Sequence, residues 1–337
     1  MKAKSNLIFM LFSLCLVSVF LLNGVAEAAT YRMGSHYAAG YFVNNGFRRM
    51  NERIKEATGG AVDIKFYESS QLGDYEQVFQ EVMRGTIEMQ AMFPVPRFNK
   101  KFEIVVTPGL ASGYDELGKL WRRGSPFHKF MEKAYAEIGV VYIGSFVDTV
   151  MVAAIAKGKN IEHPYDSSNK RCEMRVLPVE SLRAWYSAMG YQVVTVPYTE
   201  VFTSMQTGIL GGDCNSGPEG VYVTFKDVTG TVIEYPCTYV NLDFVISKKT
   251  WDSFDDKTKK IITEAFDAEW TNVFNESKKS YVNYLDKMRK DGIKIVSPTK
   301  EQTAYMEKLA REKSWPVCAK STGDEIFSEI LEYMGKK

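Results

Sequence analysis

Arg175 and Asn215 are the side chains whose type and setting could do chemistry: together a guanidinium and an amide could hold an acid. Arg175 sits among Met174, Val176 and Leu177, and Asn215 sits in G-G-D-C-N-S-G-P. A guanidinium in an apolar strand must be paired, because an isolated buried charge is very costly. Its planar fork can hold a carboxylate through two parallel N–H···O bonds, and an amide can donate to the same group. An internal Asp or Glu would satisfy Arg175 equally well, and Asn215 is equally suited to a turn before Gly217 and Pro218. Tyr198 follows Pro197 at a strand end, where it could stack on a ligand or staple the next helix. His36 and Tyr37 follow the first strand and Phe93 the third, where they could line an opposite wall. Each such ring is more often core or rim than ligand contact.

These residues are positioned by a repeated pattern. Positions 31–35 read as a strand. Val43, Phe47, Met50, Ile54 and Ala57 then make one helical stripe, stopped by Gly59-Gly60. Val62, Ile64 and Phe66 alternate with Asp63, Lys65 and Tyr67 in a half-buried strand. A helix over 75–84 ends at Gly85, and a strand follows over 87–92. The order β-α-β-α-β returns over 174–215, with Val179, Leu182, Tyr186 and Met189 on one stripe and Thr199 as expected N-cap of the second helix. Two α/β lobes are expected, since only two units occur. A parallel sheet gathers strand ends at one edge, where such folds bind ligands. The polar segment 160–171, containing Pro164, is expected to cross between lobes, and a second crossing is expected near 235–244. A long helical pattern over 255–290 closes at Gly292, and a short strand and two helices end the chain.

Residues 1–28 read as a secretory signal, with Lys2 and Lys4, an apolar run over 8–22 and the small-x-small site Ala26-Glu27-Ala28. The 42 Lys and Arg are balanced by 41 Asp and Glu, and losing Lys2, Lys4 and Glu27 with the leader keeps that balance. A neutral chain argues against nucleic acid, whose backbone demands concentrated positive charge. Cys172, Cys214, Cys237 and Cys318 are too dispersed for a zinc ribbon or redox C-x-x-C, leaving disulfides or buried thiols open. The only histidines are His36, His128 and His163. Neither H-E-x-x-H, G-x-S-x-G nor G-x-x-x-x-G-K-[ST] occurs. The chain therefore reads as a binder without metal or cofactor, with a secreted enzyme holding a bilobal cleft as the minority alternative.

Across most of the mature length the chain resembles the DctP-type solute-binding proteins of TRAP (tripartite ATP-independent periplasmic) transporters. The matching pieces are T-G-G-A-V-D-I-K-F-Y-E-S-S-Q-L-G at 58–73, R-G-T-I-E-M at 84–89, and M-R-V at 174–176. V-P-Y-T-E-V-F-T-S-M-Q-T-G-I-L-G-G at 196–212, the asparagine at 215, and I-S-K-K-T-W at 246–251 complete the set. The resemblance implies a two-lobed α/β periplasmic binding protein of type II-like architecture, with βαβαβ-based lobes and a long lobe-spanning helix. Lobe one would comprise 29–152 and 241–280, and lobe two 153–240 and 281–337. It implies a periplasmic monomer that closes over a small organic acid and delivers it to a TRAP membrane permease; a binder feeding a sensor is the related alternative. The family's carboxylate-clamping arginine falls on Arg175, its amide partner on Asn215 at the matching separation, and an aromatic wall position on Tyr198.

The chain also departs from that pattern. Many members carry a second arginine before the interlobe crossing, yet 144–160 holds only Lys157 and Lys159, and D-C-N-S replaces the common Q-E-N-P. A strongly acidic sugar ligand is disfavoured. Phe93, Phe146 and Tyr198 would suit an aromatic or heteroaromatic acid. Arg175→Ala is expected to abolish binding without unfolding the protein, whereas an internal partner for Arg175 would appear as lost stability without ligand.

Overall fold

The computed structural model describes residues 29–337; the expected leader lies outside the described residues. β1 (Ala29–Ser35), α1 (Phe42–Ala57), β2 (Val62–Tyr67), α2 (Tyr75–Arg84) and β3 (Met89–Met92) form the first unit. Val43, Phe47, Met50 and Ile54 of α1 are fully buried, as the stripe required, while Ala57 is exposed. The chain leaves α1 through Gly59 and Gly60, whose φ values of 62° and 85° lie in the left-handed region that glycine tolerates. α2 is opened by Asp74, which accepts from the Glu76 backbone N–H at 2.9 Å. β1 pairs in parallel with both β2 and β3.

α3 (Gly113–Leu120) and α4 (Pro126–Ala136) lead to the long strand β4 (Val140–Ala156). The second unit follows: β5 (Glu173–Arg175), α5 (Glu180–Ala188), β6 (Gln192–Val194), α6 (Val201–Gln206) and β7 (Gly212–Ser216), with β5 parallel to β6 and β7. β8 (Thr229–Ser247) returns along β4. α7 (Lys248–Ser253), α8 (Asp256–Lys290), β9 (Lys294–Val296), α9 (Lys300–Lys313), α10 (Trp315–Thr322) and α11 (Asp324–Met334) complete the chain.

All nine strands form one sheet in the order β2-β1-β3-β8-β4-β7-β5-β6, with β9 beside β8. β4 and β8 pair antiparallel from Val140 opposite Ser247 to Ala156 opposite Thr229, so this ribbon joins the two parallel units. The protein is thus a two-lobed α/β fold whose lobes share their central strands. β4 and β8 are the strands that run between the two parallel units of the sheet. The segment 160–171 does not cross; it links β4 to β5, both neighbours of β7. Segment 235–244 does lie in β8, where a crossing was expected.

α8 spans the ribbon and packs on α1 and β4. Gly144 lets the Phe266 ring approach so closely that a Cβ there would lie 2.4 Å from it. Three helices follow β9 rather than two, because Pro316 in the first turn of α10 and Gly323 (φ 95°) each break the helical path. These helices rest on α3, α4 and the 3₁₀ turn Lys100–Val106 as well as on α5, so the end of the chain touches elements of both units. Cys172, Cys214, Cys237 and Cys318 are buried free thiols. Burial pushes Cys172 and Cys318 up to about 12, so neither carries thiolate at neutral pH.

Candidate functional site

The topology brings the carboxyl ends of parallel strands from both units to one cavity. His36 and Tyr37 follow β1, Phe93 follows β3, Arg175 ends β5, Tyr198 lies beyond β6, and Ser216 and Gly217 end and follow β7; all line it. The space measures about 610 Å³, its solvent-open part included. Rings from the two units meet across it: the edge of His36 lies 6.0 Å from Tyr198 between centroids. Gly217 permits the backbone to pass against β4, where a Cβ would fall 2.2 Å from Thr149.

Arg175 is 2% exposed and anchored on one side by the protein itself. Its Nε donates to the Val196 carbonyl and its Nη1 to Asp213 Oδ1, both at 3.2 Å. The internal carboxylate that the sequence left open is therefore present, on the neighbouring strand β7 opposite Arg175 in register. A guanidinium carries five N–H donors, so the pair with Asp213 orients the fork without exhausting it. Tyr198 covers the guanidinium, with Cζ 5.8 Å from its ring centroid. Burial, helped by the Arg175 charge, pushes His36 down to about 3, so that imidazole is neutral at physiological pH.

Another part of the lining is built on Asp148, 1% exposed, in the middle of β4. The Tyr37 and Tyr41 hydroxyls donate to its two carboxylate oxygens, Tyr41 at 2.8 Å. Burial raises its pKa to about 7, against two lowering hydrogen bonds. Its orientation has a local cause. The β4–β8 register slips between Val147 and Thr149, which makes Asp148 the extra residue of a β-bulge, a device that re-aims one side chain.

The structure gathers Arg175, Tyr198, Phe93, His36 and Tyr37 around this cavity. Phe146 is corrected: it is fully buried in the first lobe's core, stacked on Phe266 at 4.5 Å and packed on Phe47. Two residues further along β4, Asp148 rather than Phe146 reaches the cavity. Asn215 lies in β7 between the Asp213 partner of Arg175 and Ser216; its side chain lies outside what the structure describes. Thr199 caps no helix. It sits inside a 3₁₀ turn, Tyr198–Glu200, that brings the chain into α6. Asp148, Asp213, Tyr41 and Tyr75 were not singled out from sequence. For Asp148 the available signal was one carboxylate in an otherwise apolar strand.

A model of the bacterial extracellular solute-binding proteins, family 7 (DctP), matches residues 33–319. The chain belongs to this DctP family. Members are solute-binding receptors. Among relatives, the C4-dicarboxylate-binding periplasmic protein DctP of Rhodobacter capsulatus is 21% identical over 291 residues, covering 85% of this chain and 82% of its own. The sialic acid-binding periplasmic protein SiaP of Vibrio cholerae is 22% identical over 267 residues, covering 74% of this chain and 78% of its own. Among solved structures, a TRAP periplasmic solute-binding protein from Desulfovibrio salexigens with bound orotic acid superposes with a TM-score of 0.82 at 21% identity, covering 91% of this chain and 98% of that one. At such identity the last likeness establishes the DctP fold.

Proposed function

We propose that this DctP-family protein captures a small organic acid in the cavity between its lobes, clamps the carboxylate on Arg175, and delivers it to a TRAP membrane permease. The observation that carries the reading is Arg175 itself: buried, oriented from behind by Asp213, and facing a cavity walled by rings from both units. The departure at 144–160 fits this reading, because a single guanidinium against several rings suits one carboxylate on a flat or cyclic body better than a multiply charged sugar. The orotic acid in the Desulfovibrio salexigens structure is such a molecule. Asn215, the next residue after Cys214 in β7, is the proposed second donor to the acid. A ligand touching both walls binds the closed arrangement better than an open one, and so shifts the population towards closure. The protein acts as an exported periplasmic monomer and catalyses no reaction.

The test is thermal melting of the mature protein against a panel of aliphatic, aromatic and heteroaromatic acids. At a hundredfold excess over Kd, a ligand specific to the native state adds about 2.7 kcal/mol. Arg175→Lys keeps a cation beside Asp213 but loses the fork. The expected result is a shift with at least one acid that disappears in this variant. A shift retained by Arg175→Lys, or none with any acid, would overturn the reading, and aliphatic hits without aromatic ones would overturn its aromatic part.

A further inference from the structure

We infer that the ligand is a zwitterion: its carboxylate lies on Arg175 while a protonated amine lies against Asp148 on the same cavity. The inference rests on the acid-capture reading and adds the chemistry of the ligand's other end.

The argument begins with charge. Arg175 is the one Lys or Arg among the residues lining the cavity, and its charge is matched by Asp213 at 3.2 Å. Asp148 is buried on the same cavity, and no Lys or Arg among the described residues forms an ion pair with it. A second carboxyl, Glu219, lies close enough to raise the pKa of Asp148 further. A simple carboxylate ligand would add negative charge to a buried site that already has more acid than base. A ligand with one carboxylate and one ammonium adds none, and it supplies the cation that Asp148 lacks. A buried charge without a partner is costly, so the pairing favours the zwitterion over its amine-free twin.

Hydrogen bonding points the same way. A carboxylate has about four acceptor positions, and Tyr37 and Tyr41 occupy two. Each phenol that donates to Asp148 keeps lone pairs of its own. That wall therefore accepts, while the Arg175 wall donates. The Tyr37 and Tyr41 rings lie 4.5 Å apart between centroids beside Asp148, a surface that attracts a cation through its π-faces.

Titration calorimetry with matched pairs tests this: pipecolic acid against cyclohexanecarboxylic acid, and 3-(aminomethyl)benzoic acid against 3-methylbenzoic acid. In at least one pair the amine is expected to strengthen binding tenfold or more, and Asp148→Asn is expected to erase that ratio. The groups facing Asp148 are Tyr37, Tyr41, Tyr114 and Glu219. With the tyrosines neutral below pH 9, the ratio should be larger at pH 8 than at pH 6. Amine-free acids that bind as tightly as their twins overturn the zwitterion and leave acid capture standing. Binding of neither twin in either pair overturns the zwitterion and leaves acid capture to the melting panel, whereas amines that bind equally without a carboxylate overturn both. If Asp148→Asn does not fold, the wild-type ratios decide.

Discussion

Asp148 and Asp243 are two carboxyls buried on the same central ribbon, and they have been put to different uses. Both are at most 1% exposed, both are raised to about 7 mainly by burial, and neither forms an ion pair with a Lys or Arg among the described residues, though His128 acts on Asp243 as a minor lowering charge. Asp243 on β8 accepts from Tyr135 at 2.7 Å, Ser145 at 2.6 Å and the Asn241 amide. It is tied into the packing between α4 and the ribbon and lines no described cavity. Asp148 accepts from two tyrosine hydroxyls and lines the same cavity as Arg175. Burial and perturbed acidity alone thus do not mark a binding group. What separates the two is the bulge that turns Asp148 outward and the acceptor capacity left over there.

Arg175 gives the largest contrast with both, since it already has an ion partner. Arg175→Ala should remove acid binding and also destabilise the ligand-free protein by about 3–5 kcal/mol, because Asp213 is left buried without a cation. Arg175→Lys should remove binding with a much smaller loss. Denaturant melts of the two variants would separate these effects; equal stability would mean that Asp213 does not depend on the guanidinium.

The two carboxyls should next separate by pH. Each holds its proton up to about pH 7 when folded but releases it near 3.8 when unfolded. Between those values the folded state binds more protons, so ligand-free stability falls as pH rises through this window and levels off above 7. Asp148→Asn and Asp243→Asn should each flatten that fall by on the order of a few kcal/mol. A saturating zwitterion should abolish the Asp148 contribution and leave that of Asp243 intact. Equal flattening with and without ligand would merge the two sites into one kind.

Phe146→Leu tests the core side of the bulge. It should lower stability by about 1–2 kcal/mol through lost packing on Phe266, with affinity unchanged. Tyr198→Ala tests the cavity side. It should weaken binding by roughly 1 kcal/mol, about fivefold, and barely move the melting temperature. The reverse pattern would exchange the roles of these two rings.

Much of this architecture was legible because its signals are local. The stripe of α1, the paired glycines after it, the span of α2 and the long pattern of α8 followed from period and capping. The ends of parallel strands then placed Arg175, His36, Tyr37, Phe93 and Tyr198 together. What escaped notice depends on pairing across the sheet. Nothing local shows that β4 slips by one residue against β8 at Asp148, so Phe146 looked as eligible as its neighbour. The partnership of Arg175 with Asp213 is likewise a register fact between two strands far apart in sequence. The polar, proline-containing stretch 160–171 looked like a lobe crossing because composition marks loops, whereas in the sheet it joins β4 to β5, both neighbours of β7.

The most direct measurement is a crystal structure of the protein with the tightest-binding acid from the panel. The account predicts carboxylate oxygens within hydrogen-bond distance of the Arg175 guanidinium, with the body of the ligand among Tyr198, Phe93 and Tyr37. A ligand whose carboxylate lies elsewhere, with Arg175 still engaged only by Asp213 and the Val196 carbonyl, would contradict it.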